Sequence, residues 1–259
     1  MSLVDVHSHL AWGVDDGFQT REQTITGLEI LSKQNVSCII ATPHFLPDIT
    51  EEKMNQINSR IEELQSLAKE YSIQIIKGGE FYLGSNYLDL LDKGLINSIG
   101  NTNYVLAEFN VTRPLGNNRE VEERLYELSA RDYQVIIAHV ERYFSEKIDL
   151  KRVQSWVNEG YLIQVNSTSL LGIHGTKIQK NAIALLDAGL VHFVGTDMHQ
   201  PHGKRDPNLP KAYHWLESHY SKEKADILCK KNGIHIILDE EVEEIEPVRK
   251  SLFKKIFHF

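Results

Sequence analysis

Seven times along the chain a short, mostly apolar run stops at a polar residue capable of chemistry. Residues 4–6 lead into His7 and His9, and residues 38–40 lead into His44. Residues 73–76 lead into Glu80, residues 104–106 into Glu108, and residues 135–137 into His139. Residues 163–165 reach Asn166, and residues 191–194 lead into Asp197 and His199. Runs this short and this rich in Val and Ile predict buried parallel strands. Between them the apolar positions recur every three or four residues, which predicts helices over 20–34, 51–71, 86–93, 120–131, 149–159, 177–188, 211–219 and 223–231. The strict alternation implies parallel strands joined by right-handed crossovers. A further β-type run at 234–238 is open to reading as an eighth strand.

The chain has 259 residues, close to the roughly 250 of a single α/β barrel, and no linker or repeat divides it. One domain is expected. A net charge of −8 leaves no broad basic footprint for nucleic acid. The two cysteines, Cys38 and Cys229, lack zinc-ribbon or redox-motif spacing, and Cys38 reads as a buried strand residue. No run approaches the roughly 18 apolar residues of a membrane span, and no signal-type segment precedes Asp5, so the cytoplasm is the expected compartment. The tail from about 246 to 259 mixes lysines with phenylalanines. It is expected to pack as a terminal helix, the other reading being contact with a membrane surface.

The polar residues at the strand ends carry the functional signal. In parallel α/β folds binding and catalytic groups gather at the carboxyl ends of the strands. His7 and His9 are two apart on a strand and therefore share a face. Asp16 follows in an Asp-Asp-Gly turn. His44, Glu80, Glu108, His139, Asp197 and His199 each sit where a strand ends. Any one of them has an ordinary structural explanation; nine in register do not. Neutral imidazole and carboxylate are ligands for divalent first-row cations. Nine ligands exceed the four to six that one such ion takes, so two or three ions are expected. Arg142, three residues beyond His139, has the fork that suits phosphate oxygens. His202, in the loop after His199, is a candidate substrate contact, as is Asn166. His192, His214 and His219 read as structural.

These residues in this order resemble the PHP (polymerase and histidinol phosphatase) superfamily, and within it the capsular-polysaccharide type of bacterial protein-tyrosine phosphatase. The resemblance rests on D-V-H-S-H-L and G-V-D-D-G at 5–17, T-P-H at 42–44, G-E at 79–80 and A-E-F at 107–109. A-H-V-E-R-Y at 138–143, Q-V-N-S-T-S-L-L-G at 164–172 and G-T-D-M-H at 195–199 complete it. It implies a distorted seven-stranded (β/α) TIM-like barrel, in which 234–238 is not a barrel strand. It also implies three metal ions. One would be held by His7, His9, Glu80 and Asp197, a second by Glu80, Glu108 and His139, and a third by Asp16, His44 and His199. Manganese is the usual metal, with iron, zinc or cobalt as substitutes. Arg142 matches the phosphate-binding arginine. The second basic residue follows Gly203 and is Lys204 or Arg205.

The resemblance further implies phosphotyrosine hydrolysis. Metal coordination lowers the pKa of water to about 7, so a hydroxide bridging the ions can attack phosphorus without a cysteine nucleophile. The implied substrate is a phosphotyrosine protein, a membrane-associated bacterial tyrosine kinase that regulates capsular or exopolysaccharide synthesis. The alternatives are a small phosphomonoester such as histidinol phosphate or a nucleotide, and a non-catalytic interaction module.

Overall fold

All seven apolar runs form strands in the computed structural model, which describes residues 2–113, 115–116, 119–144 and 146–248. The tail from 249 lies outside the described residues, and with it the expectation of a terminal helix. The strands are β1 (Leu3–Ser8), β2 (Val36–Ala41), β3 (His44–Phe45), β4 (Gln74–Lys77), β5 (Glu80–Tyr82), β6 (Tyr104–Glu108), β7 (Gln134–Ile137), β8 (Leu162–Asn166) and β9 (Phe193–Gly195). Two runs are thus split, one at Thr42-Pro43 and one at Gly78-Gly79. Proline has no N–H to give a ladder and glycine no side chain to pack, so both are natural break points.

Every pairing is parallel. One sheet runs β1-β2-β4, and the split runs carry the chain into a second sheet of order β3-β5-β6-β7-β8-β9. A bridge between Ser8 and Met198 ties the end of β1 to the segment after β9. The sheet is therefore curled, with its two outer strands brought back toward each other. The helices are α1 (Arg21–Lys33), α2 (Glu51–Ala68), α3 (Tyr87–Asp92), α4 (Glu120–Ser129), α5 (Leu150–Asn158), α6 (Ser167–Leu170), α7 (Thr176–Asp187), α8 (Leu209–His219), α9 (Lys222–Asp226) and α10 (Asn232–Leu238). Thr20, Thr50 and Asp149 start α1, α2 and α5 by accepting backbone N–H bonds with their side chains.

The period of two along the strands sorts the core into two compartments. Ile39, Val105, Ala107, Val135 and Ile137 join the large cluster shared with the helices. Val4, Val6, Cys38, Ile40, Leu106, Ile136 and Phe193 turn the other way and form a smaller cluster with Ile236 of α10. Both faces of the sheet are covered, which is why the runs read as continuously apolar.

Ile236 also explains why 234–238 is a helix and not a strand. The Asn232 amide donates to the carbonyls of His192 and Glu243 (2.8 Å each) and accepts from the N–H of Glu243 (2.9 Å), pinning the start of α10 beneath the sheet. Gly233 lies so close to β1 that a β-carbon there would sit 2.6 Å from Val4 Cγ1. A side chain at this position would push α10 off the strand.

His192 is structural, as its place in the sequence suggests. Its Nδ1 accepts the backbone N–H of Ile163 (3.0 Å), and its own N–H reaches the Ile163 carbonyl (2.9 Å). Burial lowers its pKa from 6.5 to about 4. A histidine held neutral in the folded chain and free to protonate when unfolded favours folding above pH 6.5 and disfavours it progressively down to about pH 4. The total is about 3 kcal/mol at about 1.4 kcal/mol per pKa unit. His192→Asn keeps an acceptor for the Ile163 amide without the titration. Urea unfolding in chelator at pH 7.5 and pH 4.5 should show the wild type losing more stability than the variant. Parallel losses would mean that His192 is not the sensor.

Candidate metal centre

The strand ends deliver their polar side chains to one place. β1 carries His7, with His9 just past its end, while His44 opens β3 and Glu80 opens β5. Glu108 ends β6, His139 follows β7, and Asp197 and His199 follow β9. Asp16 comes from the loop after β1 and is exposed, whereas His7, His9, Glu80, Glu108, His139, Asp197 and His199 are all buried. His139 (φ 34°) and Asp197 (φ 53°) both adopt the left-handed backbone region, uncommon for a residue with a β-carbon. Strain of this kind gathers at functional sites.

Three groups of donor atoms can be distinguished. His7 Nε2, His9 Nε2, Glu80 Oε2 and Asp197 Oδ1 approach one another at 3.2–3.6 Å. Glu80 turns its second oxygen to His139 Nε2 (2.9 Å), which in turn lies 3.6 Å from Glu108 Oε2. Asp16 Oδ1 lies 3.4 Å from His44 Nε2 and 3.3 Å from His199 Nε2. His44 faces two groups, because its Nδ1 is 3.1 Å from both Glu80 Oε2 and Glu108 Oε1.

The arrangement passes a fit test for divalent cations. An ion bound at about 2.0–2.2 Å holds its ligand atoms roughly 3.0–3.5 Å apart, and these groups have that spacing. Glu80 Oε2, His44 Nδ1 and His199 Nε2 are buried without a hydrogen-bond partner despite near neighbours. Lone pairs that converge in this way need a positive charge between them. The electrostatics agree. Burial alone would raise Glu80 and Asp197, but the histidines around them hold both well below the ordinary carboxylate range. Burial would lower His44, yet Glu80, Asp16 and Glu108 push it up to about 10. His9 is likewise raised well above its usual value, against burial, by Asp15, Asp197 and Glu80. Carboxylates that stay ionised in a buried site select cations.

The remaining predicted residues fall on both sides of the line. Arg142 and Arg205 line a cavity of about 780 Å³ above the cluster, together with Glu80, Glu108, His139 and Asp197. Arg142 Nη1 is 3.4 Å from Asp197 Oδ2, and Arg205 Nη2 is 2.5 Å from Asp197 Oδ1. Lys204 and His202 are exposed and do not line that cavity. Asn166 is fully buried, and its amide donates to Asp197 Oδ2 (2.8 Å). It orients a carboxylate of the centre and is not among the residues that line the cavity.

Several supporting residues were not singled out from the sequence. Asp15 Oδ2 accepts from His9 Nδ1 (2.7 Å) and from the backbone of His44 (3.1 Å), while its Oδ1 accepts from Gly17 (2.9 Å). The turn is tight: a β-carbon on Gly17 would lie 2.4 Å from His9 Cβ. Gln164 Oε1 is 3.2 Å from His7 Nδ1 and accepts the His139 N–H at 2.8 Å. Asp5, pushed up to about 6 by burial, accepts from the N–H and hydroxyl of Thr196. The available signal was a charged or amide residue inside an apolar run, as at Asp5 and Gln164.

Hydrogen-bonded partners of this kind fix ring orientation, and their loss costs roughly 10- to 100-fold in metal affinity. Asp15→Asn should therefore weaken binding of at least one ion by about that factor while the fold persists. Titration of chelator-treated protein with Mn2+ would measure it. Wild-type affinity in the variant would reduce Asp15 to a turn residue.

Residues 3–238 match the family described as capsular polysaccharide synthesis, CpsB/CapC. The chain belongs to that family. It is 30% identical over 242 residues to the tyrosine-protein phosphatase CpsB of Streptococcus agalactiae serotype III, covering 91% of this chain and 98% of the relative. It is 25% identical to the tyrosine-protein phosphatase YwqE of Bacillus subtilis, covering 99% and 100%. In structure it is similar to the metal-dependent tyrosine phosphatases YwqE from Bacillus subtilis and CpsB from Streptococcus pneumoniae, with a TM-score of 0.79 at 25% identity over 94% of this chain and 98% of the other. The histidinol phosphate phosphatase of Lactococcus lactis shares the fold, with a TM-score of 0.52 at 15% identity over 87% and 94%.

Proposed function

We propose that this member of the CpsB/CapC family is a metal-dependent protein-tyrosine phosphatase. The observation that carries the reading is the convergence of nine ligand-type side chains, six of which line one cavity together with Arg142 and Arg205. In this reading His7, His9, Glu80 and Asp197 hold one divalent cation, and Glu80, Glu108 and His139 a second. Asp16, His44 and His199 hold a third. Manganese is the favoured metal. The curled parallel sheet is read as a distorted seven-stranded barrel, the two split runs each counting once and the Ser8–Met198 bridge closing it.

When bound, the cations supply an activated water nucleophile and neutralise charge on the phosphoryl oxygens. The chain's own residues do the rest. Asp15 and Gln164 fix the rings of His9 and His7, so that their Nε2 atoms point into the site. Asn166 holds the Asp197 carboxylate from behind. Arg142 and Arg205 exchange their contacts with Asp197 for phosphoryl oxygens when substrate enters, and their fixed forks orient the ester for in-line displacement. A tyrosyl oxygen leaves with a pKa near 10, so little proton donation is required.

Among the described residues no helix is long and apolar enough to cross a membrane. The proposed substrate is a phosphotyrosine protein, for which a membrane-associated tyrosine kinase of capsule synthesis is the favoured partner, met at the cytoplasmic face. The deciding experiment compares phosphotyrosine-peptide hydrolysis by metal-reconstituted and chelator-treated protein, with histidinol phosphate as a second substrate. Chelation should abolish turnover and reconstitution restore it. Preference for histidinol phosphate, or activity indifferent to chelation, would overturn the reading.

A further inference from the structure

Above its metal-binding floor the cavity changes character. The same strands that offer ligands present apolar side chains one step further out. Leu46 is two residues beyond His44, and Tyr82 is two residues beyond Glu80, so each pair falls on one face of its extended segment. Leu46 and Tyr82 line the cavity together with Ile49, Phe109 and Val111. Two residues of strand rise about 6–7 Å, which is the reach of an aromatic ring whose oxygen is esterified to a phosphate on the floor. Leu46 is 42% exposed at the mouth, although Glu80, Glu108, His139 and Asp197 beneath it are buried. A small aliphatic phosphoester would leave this wall facing water; an aryl ring would cover it. The wall also has an outlet. Tyr82, Phe109 and Asn110 border a shallower groove that continues to Arg113 and Arg124, so a ring seated there can continue as polypeptide.

We infer that Leu46, Tyr82 and Val111 form a leaving-group subsite for the aromatic ring of phosphotyrosine, an inference that rests on the phosphatase reading above. Specificity for tyrosine over serine then comes from apolar contact with the ring, while the phosphoryl end is held by Arg142, Arg205 and the cations for any monoester.

The test separates the two ends of the substrate. Leu46→Ser and the double variant Leu46→Ser/Val111→Ser are assayed with Mn2+ on a phosphotyrosine peptide, and the inhibition constant of inorganic phosphate is measured for each. Inorganic phosphate reads the floor alone, and the peptide reads floor and wall together. In the double variant kcat/KM should fall roughly 10- to 100-fold, the range for apolar contacts that discriminate substrates, with the inhibition constant of phosphate unmoved. Arg142→Ala should move both. The single variant at the exposed Leu46 guards against a folding defect, and circular dichroism checks both proteins. An unchanged kcat/KM, or a phosphate constant that worsens in step with it, overturns the subsite. If the wild type does not hydrolyse the peptide at all, the phosphatase reading itself fails and the subsite falls with it.

Discussion

Glu80→Ala should remove metal and almost all turnover. The two oxygens of Glu80 each face a different group of histidines. Its Oε2 lies 3.2 Å from His7 and His9 and 3.1 Å from His44, and its Oε1 lies 2.9 Å from His139. In the proposed arrangement two adjacent ion sites would share this carboxylate. The residue is fully buried, and burial would favour its neutral form, yet the histidines keep it well below the ordinary carboxylate range. Removing it takes away the negative charge that both proposed sites would use. Metal contributes several kcal/mol of transition-state stabilisation, so kcat/KM should fall by about 1000-fold or more. Glu80→Gln, equal in size and neutral, should rescue little, because the charge and not the volume is missing. Removing one partner from a buried charged cluster costs about 3–5 kcal/mol, so loss of metal is read only in variants that circular dichroism shows to be folded. The measurements are metal per chain, kcat/KM on a phosphotyrosine peptide and circular dichroism. Full metal content with near-normal turnover in either variant would remove Glu80 from the centre.

The sequence carried this centre further than it carried the architecture around it. The candidate ligands other than Asp16 could be read because each follows an apolar run, and the run sets both the place and the face of the residue behind it. His7 and His9 needed only the two-residue repeat of a strand. The supports behind them were harder to see. Asp15 is one of two adjacent acids in a turn, and nothing local says which one bonds to His9 and which one faces His44 and His199. Asn166 ends its run as the ligands do, but its neighbours in space are Asp197 and Glu141, brought there by sheet order, which a single sequence does not state. Lys204 and Arg205 stay open as alternatives in the sequence for the same reason. The loop after His199 folds back, so that the N–H of His199 meets the carbonyl of Arg205 (2.9 Å), and Arg205 but not Lys204 lines the cavity. The run at 234–238 was misleading because Ile236 is apolar for a reason other than strand pairing: it closes the smaller core cluster from below.

Arg142→Ala and Arg205→Ala should each lower kcat/KM on a phosphotyrosine peptide by roughly 10- to 1000-fold, since a charge-assisted bond contributes about 1.5–3 kcal/mol and each guanidinium offers one or two. Both residues line the cavity, and both reach Asp197 from its open side, Arg142 at 3.4 Å and Arg205 at 2.5 Å. Their side chains are 21% and 29% exposed, enough to move onto an incoming phosphoryl group without breaking the core. Neither is a cation ligand, so metal per chain should hold. That separates them from Glu80, whose loss takes metal and turnover together. Arg142→Lys should recover only part of the loss, because an ammonium supplies the charge without the planar fork. Lys204→Ala is the internal control: the side chain is exposed and lies outside the cavity, so kcat/KM should match the wild type. Inhibition by inorganic phosphate should weaken in both arginine variants and not in the lysine variant, which ties the effect to the phosphoryl end of the substrate. If Arg142→Ala sheds metal or keeps full efficiency, its role as a phosphate clamp is lost. If Lys204→Ala is the impaired variant and Arg205→Ala is not, the loop after His199 presents the other basic residue when substrate binds.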